Sequence, residues 1–304
     1  MRFDDYQKRA MDTDRLGAQR QNPLLVALFG LAGETGSVHT LYKKKFRDGD
    51  QFTGFREKVK EDLGDILWYL TAIASIEGLA LSDIAVHNLE KTTSRWLPTG
   101  EDDGVEFDEH FPPGEQLPRL FTAQFVATVE GGVSKVEVYV DGERCGAKLS
   151  DNSYVSDGYR FHDIFHMTCA TLLGWSPVVR ALMKRKRKSD KETDEIEDGG
   201  RAIVTDEAVA AVVFSYAVRH TYLDEIKVLD WQLLDLCHDL TEQFEVGKRS
   251  RFEWEQTILK TFEVWRKVQK NGGGWVRFDR KSRSVEFSVD KPEMRSDASP
   301  DQQR

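Results

Sequence analysis

The chain has 304 residues, 31% of them charged, and a formal net charge of −9 at pH 7. That balance argues against a broad nucleic-acid footprint, which needs a basic face, and an acidic protein meets polyanions only through local cations or a bound metal. Cys145, Cys169 and Cys237 are scattered and odd in number, and they suggest neither a disulfide framework nor a zinc site.

The N-terminal run MRFDDYQKRAMDTD lacks an apolar leader core and no window approaches eighteen continuous apolar residues, so a soluble, cytoplasmic protein without a membrane partner is expected. Length favours two domains. Residues 4 to 20 read as helix, and Asn22-Pro23 punctuates before a second one. There Leu24, Leu28, Leu31, Thr35 and Val38 form an apolar stripe with Glu34 on its flank. Gly30, Gly33 and Gly36 fall within the same two turns. Each glycine costs roughly 1 kcal/mol against alanine in a helix interior, so the cluster implies close approach of a neighbouring helix or a ligand. Lys43, Lys44 and Lys45 follow, and RDGDQFTG reads as a loop.

From Glu57 to Trp96 the pattern predicts a long helix, a break at Gly78 and a shorter helix closing on Lys91 and Arg95. Leu63, Ile66, Leu67, Leu70, Ile73 and Ala74 recur at helical spacing as a core face. On the adjoining face Asp62 and Asp65 lie three apart and Glu61 four before Asp65, so three carboxylates converge. Like charges so spaced repel by a few tenths of a kcal/mol per pair unless a cation or water relieves them, although acids near a helix N-terminus also favour the macrodipole. An antiparallel partner helix carrying Glu34 completes an oxygen-only set. With no Cys or His nearby such a set favours Mg2+, with Mn2+ as the alternative, and magnesium in turn favours phosphate substrates.

The runs LFGLAGETGSV and EDLGDILWYLTAIASIEGLALSDIAVHNLEKTTSRW resemble the MazG family of all-α nucleoside triphosphate pyrophosphohydrolases, over about the first third of the chain, and GYRFHDIFHM, GWSPVVRALMKRKRKSD and EDGGRAIVTDEA more loosely resemble the C-terminal extension of longer MazG-like proteins. The family carries a Glu-x-x-Glu helix and then a Glu-x-x-Asp helix. Glu34 falls on the first position, Asp62 on the third as a shortened carboxylate, and Asp65 on the fourth. The second is Ser37, a poorer magnesium ligand, so that either Glu61, or Glu57 one turn earlier, compensates or one metal is lost. The resemblance implies cleavage between the α and β phosphates to a monophosphate and pyrophosphate. Glu34, Asp62 and Asp65 would hold the metal and, with Glu61, form the catalytic set. It also implies substrate contacts from Lys44, Asn88, Lys91 and Arg95, a base against Trp68 or Tyr69, and a homodimer or homotetramer built by helix pairing. By residue chemistry alone, Lys91 and Arg95 are equally well a solvated face, and Trp68 and Tyr69 are core.

After Trp96 four prolines among acids and glycines mark a linker, followed by period-two alternation at Val136, Val138 and Val140 with turns at Gly131-Gly132 and Asp141-Gly142. A small antiparallel packing element is expected. Beyond it His162 and His166 sit four apart beside Asp163, a spacing that binds metal if Glu207 or Asp206 supplies a third ligand, or else a pair of hydrogen-bonded core-edge histidines. The run Lys184–Lys188 meets phosphates, or is a solvated face balanced by the acids of 190–198. Helices are expected at 205–222, 228–245 and 251–270, then a hairpin near 272–287 and a disordered tail.

The expected architecture is therefore mainly α. An N-terminal MazG-like helical bundle (1–97) precedes a linker and small antiparallel β insert (98–157), a C-terminal helical domain (158–270), and a hairpin with tail (271–304). Three functions compete: a magnesium-dependent nucleoside triphosphate pyrophosphohydrolase, a nucleotide-binding regulator that lost turnover through Ser37, and a phosphohydrolase with a metal on His162, Asp163 and His166.

Overall fold

The computed structural model describes residues 1–15, 22–97 and 106–292. Part of the expected first helix (16–20), the start of the linker (98–105) and most of the tail (293–304) lie outside the described residues. The chain divides into two compact units, Met1–Thr92 and Thr93–Arg304.

Unit 1 is built from α1 (Phe3–Met11), α2 (Pro23–Asp48), α3 (Phe55–Ile76) and most of α4 (Leu81–Trp96). Pro23 opens α2, where its missing N–H is harmless. Two contacts show that α3 runs back along α2. The rings of Tyr42 and Phe55 meet at 5.2 Å near the connecting turn, and a side chain placed on Gly30 would strike the ring of Tyr69. Gly30 thus serves the close helix approach its position implied, whereas Gly33 and Gly36 face open space. Gln7 ties α1 down: its amide N–H groups donate to Ser75 Oγ (3.0 Å) and the Leu79 carbonyl (2.9 Å), and its Oε1 accepts from Leu81 N (2.8 Å).

The α3 face expected to be core is covered only in its C-terminal part. Thr71, Ala72 and Ala74 are buried, but Leu63 is 51% exposed, with Leu67 and Leu70 also open. On α2 Leu25, Leu28, Phe29 and Phe46 are likewise exposed. Among the described residues one stretch, Pro23–Gln51, is long and apolar enough to cross a membrane by length and composition, with a mean hydropathy of 1.3 in its most apolar window.

Unit 2 centres on an antiparallel sheet of six strands, β1 (Leu120–Glu130), β2 (Val133–Val140), β3 (Glu143–Arg144), β4 (Leu149–Ser150), β5 (Gly273–Asp279) and β6 (Ser284–Ser288). Their order is β3-β2-β1-β5-β6, with β4 also paired to β2. Gly131 and Gly132, both at positive φ, close the β1–β2 hairpin with the two-residue turn that matches strand twist. Against the sheet pack α5 (Asp163–Leu172) and α10 (Arg251–Asn271). The remaining helices are α6 (Pro177–Leu182), α7 (Lys191–Ile196), α8 (Gly200–Arg219) and α9 (Trp231–Thr241).

This corrects the expectation of a mainly α chain with a small β insert set apart from a C-terminal helical domain. The terminal hairpin does not stand alone: β5 adds to the free edge of β1, with Phe121 opposite Phe278 and their rings stacked at 4.7 Å. Phe121, Ala123, Phe125, Val136, Val138, Val276 and Phe278 then join Phe161, Ile164, Trp254, Phe262 and Trp265 in one core. A hairpin with one apolar face is marginal alone and its edge invites pairing, so the two strand pairs and the helices that cover them form a single α+β unit.

A buried ion network lies under the same unit. Asp108 accepts from Arg119 Nη2 (2.6 Å), Arg180 Nη2 (2.7 Å) and Leu117 N (2.7 Å). Asp198 accepts from Arg187 N (2.7 Å) and Nη2 (2.8 Å), while Arg187 Nη1 donates to Glu245 Oε2 (2.9 Å). The run at 184–188 therefore sends one cation inward and leaves Lys184 and Lys188 outside.

Next to this network the Glu197 carboxyl is pushed up to about 7, by burial first and then by the Glu245 carboxylate, itself raised by burial. A carboxyl whose folded value exceeds its unfolded value adds stability below the unfolded value, and that stability is lost as pH rises through the folded one. Thermal melting should therefore fall between pH 5 and pH 7.5, by about 1 kcal/mol from Glu197 after allowance for solvent screening. The fall should be flatter in Glu197→Gln. An identical slope in the variant would assign the dependence to other groups.

Candidate metal centre

The predicted carboxylates of unit 1 sit on facing helices. Counting one turn along α2 from Gly30 and one turn back along α3 from Tyr69 advances each helix by about 6 Å. Glu34 thus comes level with Asp65, and a second turn brings Ser37 level with Asp62. Glu34 and Asp62 are half-buried, whereas Ser37, Glu61 and Asp65 are exposed. Asp65 also lies near the Tyr6 hydroxyl, whose pKa is raised by burial and by that carboxylate. These oxygens do not close into a tight cluster: among the described residues the group of three His, Cys, Asp or Glu ligand atoms within 4.8 Å of one another is His162, His166 and Glu207.

The other predicted substrate contacts are dispersed. Lys44 is half-buried beside Asp48, and Asn88 and Lys91 are exposed on α4. Trp68 donates its indole N–H to Thr13 Oγ1 (3.1 Å) and to the Ala10 carbonyl (3.3 Å), which pins α1 to α3, and its ring meets Tyr69 edge-on. Arg95, in the part of α4 that belongs to unit 2, donates from Nη2 to the Leu229 carbonyl (2.8 Å) and lies over the Trp231 ring at 5.0 Å.

In unit 2 the histidine pair spans the start of α5. His162 is the residue before the helix, its ring stacked on Tyr159 at 4.5 Å. A carbonyl can only accept, so His162 Nδ1 donates its proton to Tyr159 O (2.9 Å) and the neutral ring keeps a lone pair on Nε2. One turn on, His166 is fully buried and its Nδ1 lies 2.8 Å from Asp206 Oδ1. Asp206 is fixed as an acceptor by Ser176 Oγ (2.6 Å) and Val178 N (3.2 Å) at its other oxygen, so it holds the proton of His166 on Nδ1. His166 Nε2 is buried without a hydrogen-bond partner; Glu207 Oε2 lies 3.5 Å away, near enough for charge attraction but off hydrogen-bond geometry.

Consecutive acids on α8 therefore flank one imidazole, Asp206 behind it and Glu207 in front. Of the two acids the sequence offered as third ligand, the structure brings Glu207 into the cluster and makes Asp206 the support. Burial alone would lower the His166 pKa, but Asp206 and Glu207 outweigh it and lift it to about 10. Asp163 lies 3.5 Å from His162 Nε2, and burial raises its carboxyl against the pull of both histidines. The supporting roles of the Tyr159 carbonyl and of Ser176 had no signal in the sequence, because neither is a ligand type in a ligand spacing. The arrangement, two imidazoles hydrogen-bonded at Nδ1 with ligand atoms of His162, His166 and Glu207 within 4.8 Å of one another, can hold a metal ion.

Comparison with known proteins places these features in a family. The gene 37 protein of Mycobacterium phage L5 is 35% identical over 68 residues, which make up 22% of this chain and 60% of that protein. The chain thus spans about 60% of the length of this curated relative. No solved structure matches. The family described as the MazG C-terminal domain matches residues 102–291, which contain the sheet, α5 to α10 and the whole histidine cluster. On that match the chain is a MazG-like protein and belongs to the MazG C-terminal domain family.

Proposed function

We propose that this protein is a magnesium-dependent hydrolase that cleaves nucleoside triphosphates between the α and β phosphates, releasing a nucleoside monophosphate and pyrophosphate. MazG membership ties it at family level to nucleotide pyrophosphohydrolysis. The observation that carries the finer reading is the antiparallel register of α2 and α3, which sets Glu34 level with Asp65 and Asp62 one turn away on an oxygen-only face. That donor set fits a hard dication. Glu34, Asp62 and Asp65 would hold it, and when bound it would polarise the phosphoryl oxygens and make the attacking water more acidic. Glu61, exposed and one turn before Asp65, takes the water proton, while Lys44, Asn88 and Lys91 neutralise and orient the phosphates.

The open apolar faces of α2 and α3, with Phe29 72% and Leu63 51% exposed, are covered in this reading by a second copy of the chain as a homodimer or homotetramer. A nucleotide substrate fits a cytoplasmic site of action. A panel of nucleoside triphosphates with Mg2+, resolved by anion-exchange chromatography, should give monophosphate and pyrophosphate in equal amounts. Orthophosphate as the first product would overturn the reading. So would tight nucleotide binding without turnover, the outcome that the exposed hydroxyl of Ser37 opposite Asp62 favours and that would make the protein a nucleotide-binding regulator.

A further inference from the structure

We propose that His162, His166 and Glu207 form a second metal centre, selective for a first-row transition dication of the zinc class and separate in chemistry from the oxygen-only face of unit 1. Three observations meet there. The candidate ligand atoms lie within 4.8 Å of one another, a spread one ion can bridge. Both histidines are hydrogen-bonded at Nδ1, to the Tyr159 carbonyl at 2.9 Å and the Asp206 carboxylate at 2.8 Å, so a metal that displaces any proton on Nε2 finds that nitrogen of each ring as its donor. And His166 Nε2 is a fully buried polar atom with no hydrogen-bond partner, 3.5 Å from the Glu207 carboxylate. Leaving such an atom unsatisfied is destabilising, so its retention needs a reason.

The charge balance agrees. Asp163, Asp206 and Glu207 bring three carboxylates around two imidazoles, and a dication offsets that charge without requiring either ring to be protonated. Two nitrogen donors and a carboxylate suit zinc and its neighbours and are a poor shell for magnesium, which prefers oxygen and keeps its waters. The Glu207 side chain is 46% exposed, so the centre opens to solvent on that side. Three protein ligands with one open side are the pattern of a centre that keeps a position for water or substrate, not of a closed structural site.

The test is metal binding itself, read without turnover, so its failure is distinct from failure of the pyrophosphohydrolase reading. The chelator-stripped full chain is titrated with Zn2+, and in parallel with Co2+, in the presence of excess Mg2+. One equivalent of Zn2+ should bind per chain, and Co2+ should give visible ligand-field bands that Zn2+ bleaches. His162→Gln and Glu207→Gln, at the rim of the core, should each weaken Zn2+ by about 100-fold or more, and Asp206→Asn by about 10- to 100-fold through the orientation of His166. Apo melting curves of the rim variants should stay near that of the parent. If the parent chain takes up no stoichiometric Zn2+, or if His162→Gln and Glu207→Gln bind it as the parent does, His166 is a core imidazolium held by Asp206 and the proposal is overturned.

Discussion

Replacing Asp198 with alanine is expected to cost unit 2 about 3–5 kcal/mol, a melting shift of roughly 6–20 °C for a unit of this size. The magnitude follows from what is left behind. Arg187 and Arg180 are both essentially without solvent access, and Asp198 accepts from Arg187 through the backbone N–H and two guanidinium nitrogens. Removing it strands a buried cation with Glu245 as its remaining ion-pair partner, and Glu245 is already disfavoured as an anion by its own burial. Removing Arg187 as well takes away the stranded cation, and the Glu245 carboxyl it leaves is raised by burial and can stay protonated, so an Asp198→Leu, Arg187→Met double variant should recover part of the loss. Chemical denaturation of the three proteins checks this. A single variant that melts within two degrees of the parent would mean that water reaches the Arg187 pocket.

The same arginine shows where the sequence was legible and where it was not. KRKRK reads as a charge run, and nothing local distinguishes Arg187 from Lys184 or Lys188. Its burial is decided by Asp198 and Glu245, which the chain supplies from elsewhere. The β1–β2 hairpin could be read locally, because Gly131-Gly132 and the alternation of Val136 and Val138 lie within a few residues of one another. The pairing of β1 with β5 could not, since Phe121 and Phe278 are far apart in the chain and each hairpin alone satisfies the period-two pattern. That missing pairing is what made the sheet look like a small insert.

At the candidate sites the contrast repeats. The four-residue step between His162 and His166 pointed to a shared face, and Glu207 was one of two acids offered as a third ligand; the choice between them depended on α6, whose Ser176 and Val178 hold Asp206 in place. In unit 1 the helical stripe was read correctly as apolar but not as exposed. Periodicity reports which face is apolar and not what covers it.

Asp65→Asn should lower turnover of nucleoside triphosphates by about 100-fold or more, with a smaller change in nucleotide binding. Asparagine keeps the shape and one acceptor oxygen but removes the charge, so the comparison isolates what the anion does. Asp65 is the carboxylate that the α2–α3 register brings level with Glu34, and its surroundings are mostly water, so the folding of α3 does not depend on it. Loss of turnover should come with a higher Mg2+ requirement, and raising Mg2+ or replacing it with Mn2+ should restore part of the rate. Survival of full activity in Asp65→Asn would remove the chemistry from unit 1 and leave His162, His166 and Glu207 as the hydrolytic centre. Loss of activity together with a collapse of the melting transition would show only a folding role, so the melting curve of the variant is measured beside its kinetics. The decisive pattern is an intact fold, retained nucleotide binding and a metal-dependent fall in turnover, because only a metal-holding carboxylate produces all three.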